Sequence, residues 1–353
     1  MFAGCGGTPG ATGWSAVTVD NNSAFVGGAD GRVYAVDANT GAYKWAFPSD
    51  KGMTSVYSTP IIQNNTLYVG AYDGGMRALD PSTGALRWQF PAELNLSVVG
   101  PIVPTPLVAN NTVYFGDNNH KFYALDAATG TQKWTFSAGN KIWSGAMLDN
   151  GTIYFGSLDH FLYALDANTG AKKWAYDAGG IIEGMPLVEN GTVYFGALNK
   201  FIALDAATGT LKWEFVSDNP NEWIWAHPTA SNNAIYFGTL KGNVYALDKN
   251  TGTKLWMLPI ANTPEIRSSI VIDGDTGYFG ASDLYMYKIN LSNGQLILKS
   301  AEKALAGPIY ATPTLQNGVL YIQVQGHTMY ALNASDLTRK WCFDENNRQA
   351  CGN

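Results

Sequence analysis

The sequence predicts an all-β fold: an eight-bladed β-propeller of four-stranded antiparallel blades. Three observations lead there. The stretch Phe122–Phe136, FYALDAATGTQKWTF, recurs along the whole chain. Its relatives lie at Val33–Phe47, Met76–Phe90, Leu162–Tyr176, Phe201–Phe215 and Val244–Leu258, with degraded copies at Met286–Ser300 and Met329–Phe343. The aligned acid or amide falls at Asp37, Asp80, Asp126, Asp166, Asp205, Asp248, Asn290 and Asn333, with gaps of 43, 46, 40, 39, 43, 42 and 43 residues. That is the period of about 40–45 residues expected of a propeller blade. Finally, no segment carries a useful length of 3.6-residue hydrophobic periodicity, so helices are not expected.

Blade 2 serves as the pattern for each element. Thr59–Ile62 is read as a short inner strand, and Asn64-Asn65 as a tight turn, because Asn tolerates positive φ. Leu67–Tyr72 is the second strand, turning at Asp73-Gly74 into a third strand, Met76–Asp80. Ser82-Thr83-Gly84 then turns the chain into the outer strand Ala85–Phe90. Equivalent turns stand at Asn110-Asn111, Asn150-Gly151, Asn190-Gly191, Asn232-Asn233 and Asn317-Gly318. Asn64, Asn110, Asn150 and Asn190 spell N-x-S/T, and their shared place in each blade makes them hairpin residues. The first inner strand is expected at Ser15–Val19 and the last outer strand at Arg339–Phe343. No blade is then shared between the two ends of the repeat, so Trp341 and the tail must help to close the ring.

The repeated tryptophans, Trp45, Trp88, Trp134, Trp174, Trp213, Trp256 and Trp341, all lie on outer strands. A blade has two apolar faces that only neighbouring blades can cover. An indole buries a large area there and its N–H can reach a backbone carbonyl. The glycine four residues earlier leaves room for a flat ring to approach the backbone. Blade 7 departs from the pattern, with Leu298 for Trp and Asn290 for Asp, and blade 8 has Asn333 for Asp and Leu337 for Gly. These departures mark the expected weak joints. The repeated Asp is read as a turn acceptor.

Length alone would admit two or three domains in 353 residues. The unbroken repeat instead makes residues 14–343 one closed propeller, between an N-terminal segment 1–13 and a C-terminal tail 344–353. A net charge of −6 argues against non-specific binding to nucleic acid or an anionic membrane. No apolar run approaches the length of a membrane-spanning helix. The three cysteines match neither a disulfide framework nor a zinc spacing. A Cys342–Cys351 bridge would leave Cys5 unpaired, whereas a clip from Cys5 to either of the other two would join the termini.

The Ala-x-Asp-x-x-x-Gly-x-x-x-Trp pattern resembles the tryptophan-docking repeat of the pyrroloquinoline-quinone-type (PQQ-like) β-propellers, over essentially residues 14–343. Two branches of that superfamily matter: the larger quinoprotein dehydrogenases, and smaller non-enzymatic propellers similar to the BamB-like lipoproteins, which this chain resembles more in size and style. Phe2–Cys5, F-A-G-C, is close to the box before the lipidated cysteine of bacterial lipoproteins, although the basic and apolar regions of a signal peptide are missing upstream. The resemblance implies an extracytoplasmic protein of the cell envelope, anchored through Cys5. It would be a scaffold for protein partners in a membrane complex, without catalysis or cofactor.

Subtracting the repeat leaves the candidates for a site. Trp14, Trp143, Trp223 and Trp225 are off pattern and precede or open inner strands. Aligning the blades on the inner strand puts Tyr57, Val103, Trp143, Glu183, Trp225, Ile266 and Tyr310 at one position, with Ser58, Ser144 and Arg267 next, and His227 in the usual place of Thr. These should ring the central channel, fed by the long loops Pro91–Pro104 and Val216–Trp225. Trp143, Trp223, Trp225, Arg267, Tyr57 and Tyr310 are the expected partner anchors, since Trp and Arg dominate interface energetics. The alternative is a small-ligand or quinone site at the channel mouth using Glu183, Arg267 and His227. A quinoprotein enzyme would need an adjacent Cys-Cys pair and a Glu–Asn–Asp calcium set, and neither stands out, so no catalytic residue is assigned. The Asp273–Gly277 loop resembles a calcium site only loosely. His120, His160 and His327 share one turn position and are expected to face solvent, not a metal.

Overall fold

The computed structural model describes residues 15–50, 52–301 and 305–351. These fold into eight antiparallel sheets, each made from one continuous stretch: 18–47, 61–90, 107–137, 146–177, 187–216, 229–259, 271–299 and 314–350. Every described element is a strand, and none is a helix able to cross a membrane. Blade 2 runs Ile61–Gln63, Thr66–Gly70, Met76–Leu79 and Leu86–Phe90, within two residues of the expected bounds. Asn64, Asn110, Asn150 and Asn190 all have positive φ, as hairpin residues at these turns require.

The second and third strands of a blade are buried on both faces, so they read as apolar runs without alternation. Between the third and outer strands every blade carries a register shift, and in all but blade 7 it lies beside the residue that pairs with the tryptophan, as at Ala124/Leu125, where Ala124 pairs with Trp134. Such a bulge re-aims a side chain. Here it accompanies an indole directed at the next blade. Trp45 lies over Gly84 of blade 2, where an added Cβ would come within 2.6 Å of the ring, and its N–H donates to the Pro81 carbonyl at 3.1 Å. The glycine that makes room is therefore the neighbour's, not the one four residues earlier in the same blade. The repeated Asp works as a turn acceptor: Asp126 takes the backbone N–H groups of Ala128 and Thr129, both at 3.1 Å.

The joint between blades 7 and 8 is not bare. Leu298 replaces the indole and Leu337 replaces the facing glycine, and both belong to one apolar cluster. The side chain added at one position occupies the space lost at the other. Lys288, at the place where other blades have Ala, donates to the carbonyl of Ala334 at 3.2 Å, the acceptor an indole N–H would have used. The joint expected to be weak thus carries compensating contacts. Leu337 pays with a φ of 59°, a conformation that costs a non-glycine residue about 1–2 kcal/mol. Leu298→Trp alone is expected to overpack the joint and lose about 1–3 kcal/mol in urea unfolding, and Leu337→Gly added to it should restore most of that. Equal stability of the single and double variants would contradict the compensation.

The ring closes between blades 8 and 1 without strand exchange. Trp341 N–H donates to Ala38 O at 3.0 Å and Tyr34 OH to Glu345 O at 3.2 Å, while the rings of Tyr34 and Phe343 meet edge-on at 5.7 Å. Beyond the outer strand Arg339–Asp344, the tail adds a fifth strand to blade 8, Gln349–Ala350. Its end is held by a disulfide between Cys342 and Cys351. Cys5 and Trp14 lie outside the described residues.

Candidate functional site

The channel mouth is built by one packing rule repeated around the ring. The second strand of each blade from 1 to 7 presents a glycine to the neighbour, and a β-branched side chain of the next blade lies against it. Ile142 lies on Gly116, Ile182 on Gly156 and Ile266 on Gly238, so close that a Cβ on the glycine would come within 2.2–2.3 Å of the methyl. These residues are fully buried. Because successive side chains alternate along an extended segment, the following residue turns into the channel. Tyr57, Val103, Trp143, Glu183, Trp225, Arg267 and Tyr310 accordingly line one cavity of about 330 Å³, together with His227. The expected ring position of Ile266 is therefore corrected by one residue: Arg267 occupies it. Ser58 and Ser268 follow the ring residues and are buried, each donating to the carbonyl of a second-strand glycine, Gly70 and Gly280, at 2.7 and 2.9 Å.

Arg267 carries the best-defined geometry. Its guanidinium lies 4.5 Å from the centre of the Trp225 ring and 4.8 Å from that of Tyr310. Glu265 accepts from its Nε at 3.0 Å and lies 2.8 Å from Nη2. Trp143 donates its N–H to Asn118 Oδ1 at 2.7 Å. Burial pushes the Glu183 carboxyl up to about 7, with Arg267 pulling the other way. Burial alone pushes the His227 imidazole down to about 4, so it is neutral at physiological pH.

Trp223 does not join the others. It is absent from the cavity lining, and its carbonyl accepts from Leu240 N–H at 2.9 Å. Its loop is pinned by Glu222, a buried carboxylate whose pattern in the sequence gave no warning. Thr239 and Tyr245 donate to it at 3.0 Å, and Ser217 and Asn243 donate as well. Burial pushes this carboxyl up, but the four hydrogen bonds outweigh it and hold the group below its ordinary range.

The loop 91–104, expected to feed the mouth, exposes an apolar ridge. Leu94, Leu96 and Val98 are 45%, 52% and 46% exposed. Its backbone is fixed from blade 3, with Asn119 Nδ2 donating to Leu96 O at 2.6 Å and Tyr123 OH to Val98 O at 3.0 Å. The alternation Leu-Asn-Leu-Ser-Val was a signal for this ridge that length alone could not supply.

The histidines divide. His120 and His160 are exposed and have positive φ. His327 shares that φ but is half-buried, with Nδ1 3.5 Å from Glu345 Oε2, which corrects its expected solvent exposure. The Glu345 carboxylate beside it raises its imidazole pKa. Among the described residues no cluster of three His, Cys, Asp or Glu side chains could hold a metal. The described ring does not fit a quinone–calcium site: Glu183 is its only carboxylate, and no asparagine or aspartate joins it in the cavity wall.

A family model described as outer membrane protein assembly factor BamB matches residues 8–176 and 119–300. The protein of that description from Yersinia pestis is 25% identical over 126 residues, which are 33% of this chain and 31% of that one. The match thus spans about a third of the relative's length. The crystal structure of BamB from Moraxella catarrhalis superposes with a TM-score of 0.73 at 21% identity, covering 87% of this chain and 92% of that one. A quinohemoprotein alcohol dehydrogenase from Pseudomonas putida superposes with a TM-score of 0.70 at 16% identity, covering 92% of this chain and 70% of the enzyme. At such identities the two structures share the fold alone.

Proposed function

The chain belongs to the family of the outer membrane protein assembly factor BamB, and on that premise we propose that it is a non-catalytic scaffold for protein partners in outer-membrane protein assembly. The observation that carries this reading is the exposed ridge of Leu94, Leu96 and Val98, its backbone held by hydrogen bonds from blade 3. A rigid ridge loses little entropy on docking. Exposed apolar side chains grouped on one loop are the kind of surface a partner covers. Trp143, Trp225, Arg267, Tyr57 and Tyr310 at the channel mouth, with Trp223 outside its lining, are the further anchors of this proposal. On this reading the protein works outside the cytoplasm, held in the cell envelope by a lipid on Cys5.

The test is recovery of the protein with its partners from gently solubilised native membranes. Leu94→Asp with Leu96→Asp should cut co-purifying assembly proteins at least tenfold, corresponding to about 1.4 kcal/mol. Leu211→Asp with Leu255→Asp, at exposed positions on outer strands, should leave them. Retention by the ridge variant would sink the proposed contact. The intact mass of the same preparation should carry a diacylglyceryl increment on a chain starting at Cys5; an unlipidated chain would remove the anchor.

A further inference from the structure

The buried acids of this propeller accept hydrogen bonds on at least one carboxylate oxygen, Glu345 through Oε1 from Gln323. Asp117 accepts from the backbone of Gly100, Asn119 and Lys121 at 2.8–2.9 Å, and Glu222 has its four donors. Glu183, half-buried, differs from these three. It faces the channel cavity from blade 5, between Trp143 of blade 4 and Trp225 of blade 6 in ring order. Among the described residues, no donor reaches its carboxylate and no cation lies within 4 Å. Arg267, the cation on the same wall, is held by Glu265 and by the faces of Trp225 and Tyr310. A carboxylate in an apolar wall is costly unless a cation or donor meets it. Aromatic faces favour a cation from the other side. Arg267 already shows a cation resting on aromatic rings of this wall.

We infer that the channel mouth binds an organic ammonium group, with its N–H bonds directed at Glu183 and its body against Trp143 and Trp225. The cavity, about 330 Å³, falls at the lower end of the roughly 300–1,000 Å³ usual for small-molecule sites. It admits the ammonium of a free amine or the side chain of a partner's lysine. Both offer the same chemistry to Glu183. The inference goes beyond the scaffold reading and does not depend on it. Binding requires the ionised carboxylate, so affinity rises with pH through the region near 7 where Glu183 titrates. Among the described residues, the other charged or titratable groups at the mouth are Arg267, Glu265, His227, Tyr57, Tyr310 and, behind Trp143 at 5.8 Å, Lys141. Of these, His227 is neutral across that range.

The experiment is calorimetric titration of the purified full chain at pH 8 with benzylamine against benzyl alcohol. A second pair is an end-blocked peptide with a central lysine against its norleucine counterpart. At least one ammonium probe should bind tenfold or more tightly than its neutral partner, lose that advantage in Glu183→Gln, and weaken about tenfold from pH 8 to pH 6. Preference for benzylamine would assign a free amine, and preference for the peptide a partner's lysine. Equal binding of charged and neutral probes, undiminished amine binding by Glu183→Gln, or no measurable binding of either amine would overturn the inference. Retention of amine binding by the Leu94→Asp, Leu96→Asp variant would separate this site from the partner contact.

Discussion

Trp341→Ala is expected to lower the stability of the propeller by about 3–5 kcal/mol, the cost of emptying a buried indole site, and to do so more than the same change at Trp174. Trp341 is 8% exposed and spans the one joint where the chain does not run on from blade to blade. Elsewhere a continuous backbone tethers neighbouring blades. At the seam, side chains must hold both sides: Trp341 over Gly41, Tyr34 OH on Glu345 O, and Tyr321 OH on Ala38 O at 3.2 Å. Removing the indole empties the space over Gly41 and takes one of the two donors from Ala38 O. Trp341→Phe should cost less, since it loses the N–H, worth about 1 kcal/mol, while keeping part of the apolar contact. Urea unfolding checks this, and a Trp341→Ala loss no larger than that of Trp174→Ala would show that the seam has no special role.

Glu183→Gln should stabilise the protein, by about 2–3 kcal/mol at pH 8 and by nothing measurable near pH 4. The folded carboxyl titrates at about 7 against an ordinary 4.5, because burial disfavours its charge more than Arg267 favours it. Between those values the folded protein binds more protons than the unfolded chain, so stability falls as pH rises through the window. The loss is complete above 7 and absent below 4.5. The shift corresponds to about 3 kcal/mol if fully expressed, and water at the mouth reduces it. His227, neutral when folded, makes the protein less stable as pH falls below its unfolded value of about 6.5. That effect is common to both proteins and cancels in the difference. A stability gain independent of pH from 4 to 8 would mean that Glu183 is not the buried acid described. A gain would also fit a site kept for binding at the expense of stability.

Much of the architecture was legible because its signals are local. Asp126, Gly130 and Trp134 lie within nine residues of one another, and the Asn-containing turns need only their own φ values, so blade number, strand order and hairpin positions could be read from the chain. The channel-facing set was legible to within one residue. Tyr57, Trp143, Glu183, Trp225 and Tyr310 were found, but the member from blade 7 was placed at Ile266 instead of Arg267. That choice is made by Ile266 packing on Gly238 of another blade, a contact that no local spacing encodes. Trp223 looked equivalent to Trp225, two residues on, yet it does not line the cavity.

The sequence by itself determined an all-β ring of eight repeats, because each repeat carries its own turns, its own apolar strands and an indole that needs a neighbour. Only the tertiary structure decided how the irregular copies fit. Leu298, Leu337 and Lys288 are single departures in sequence but one compensating set in space. His327 differs from His120 and His160 in having Glu345, at the start of the tail, where those have Ala138 and Ala178. In each case the deciding partner lies in another blade or on the returning tail, and the energy of the contact depends on distance in space, which a period along the chain does not specify.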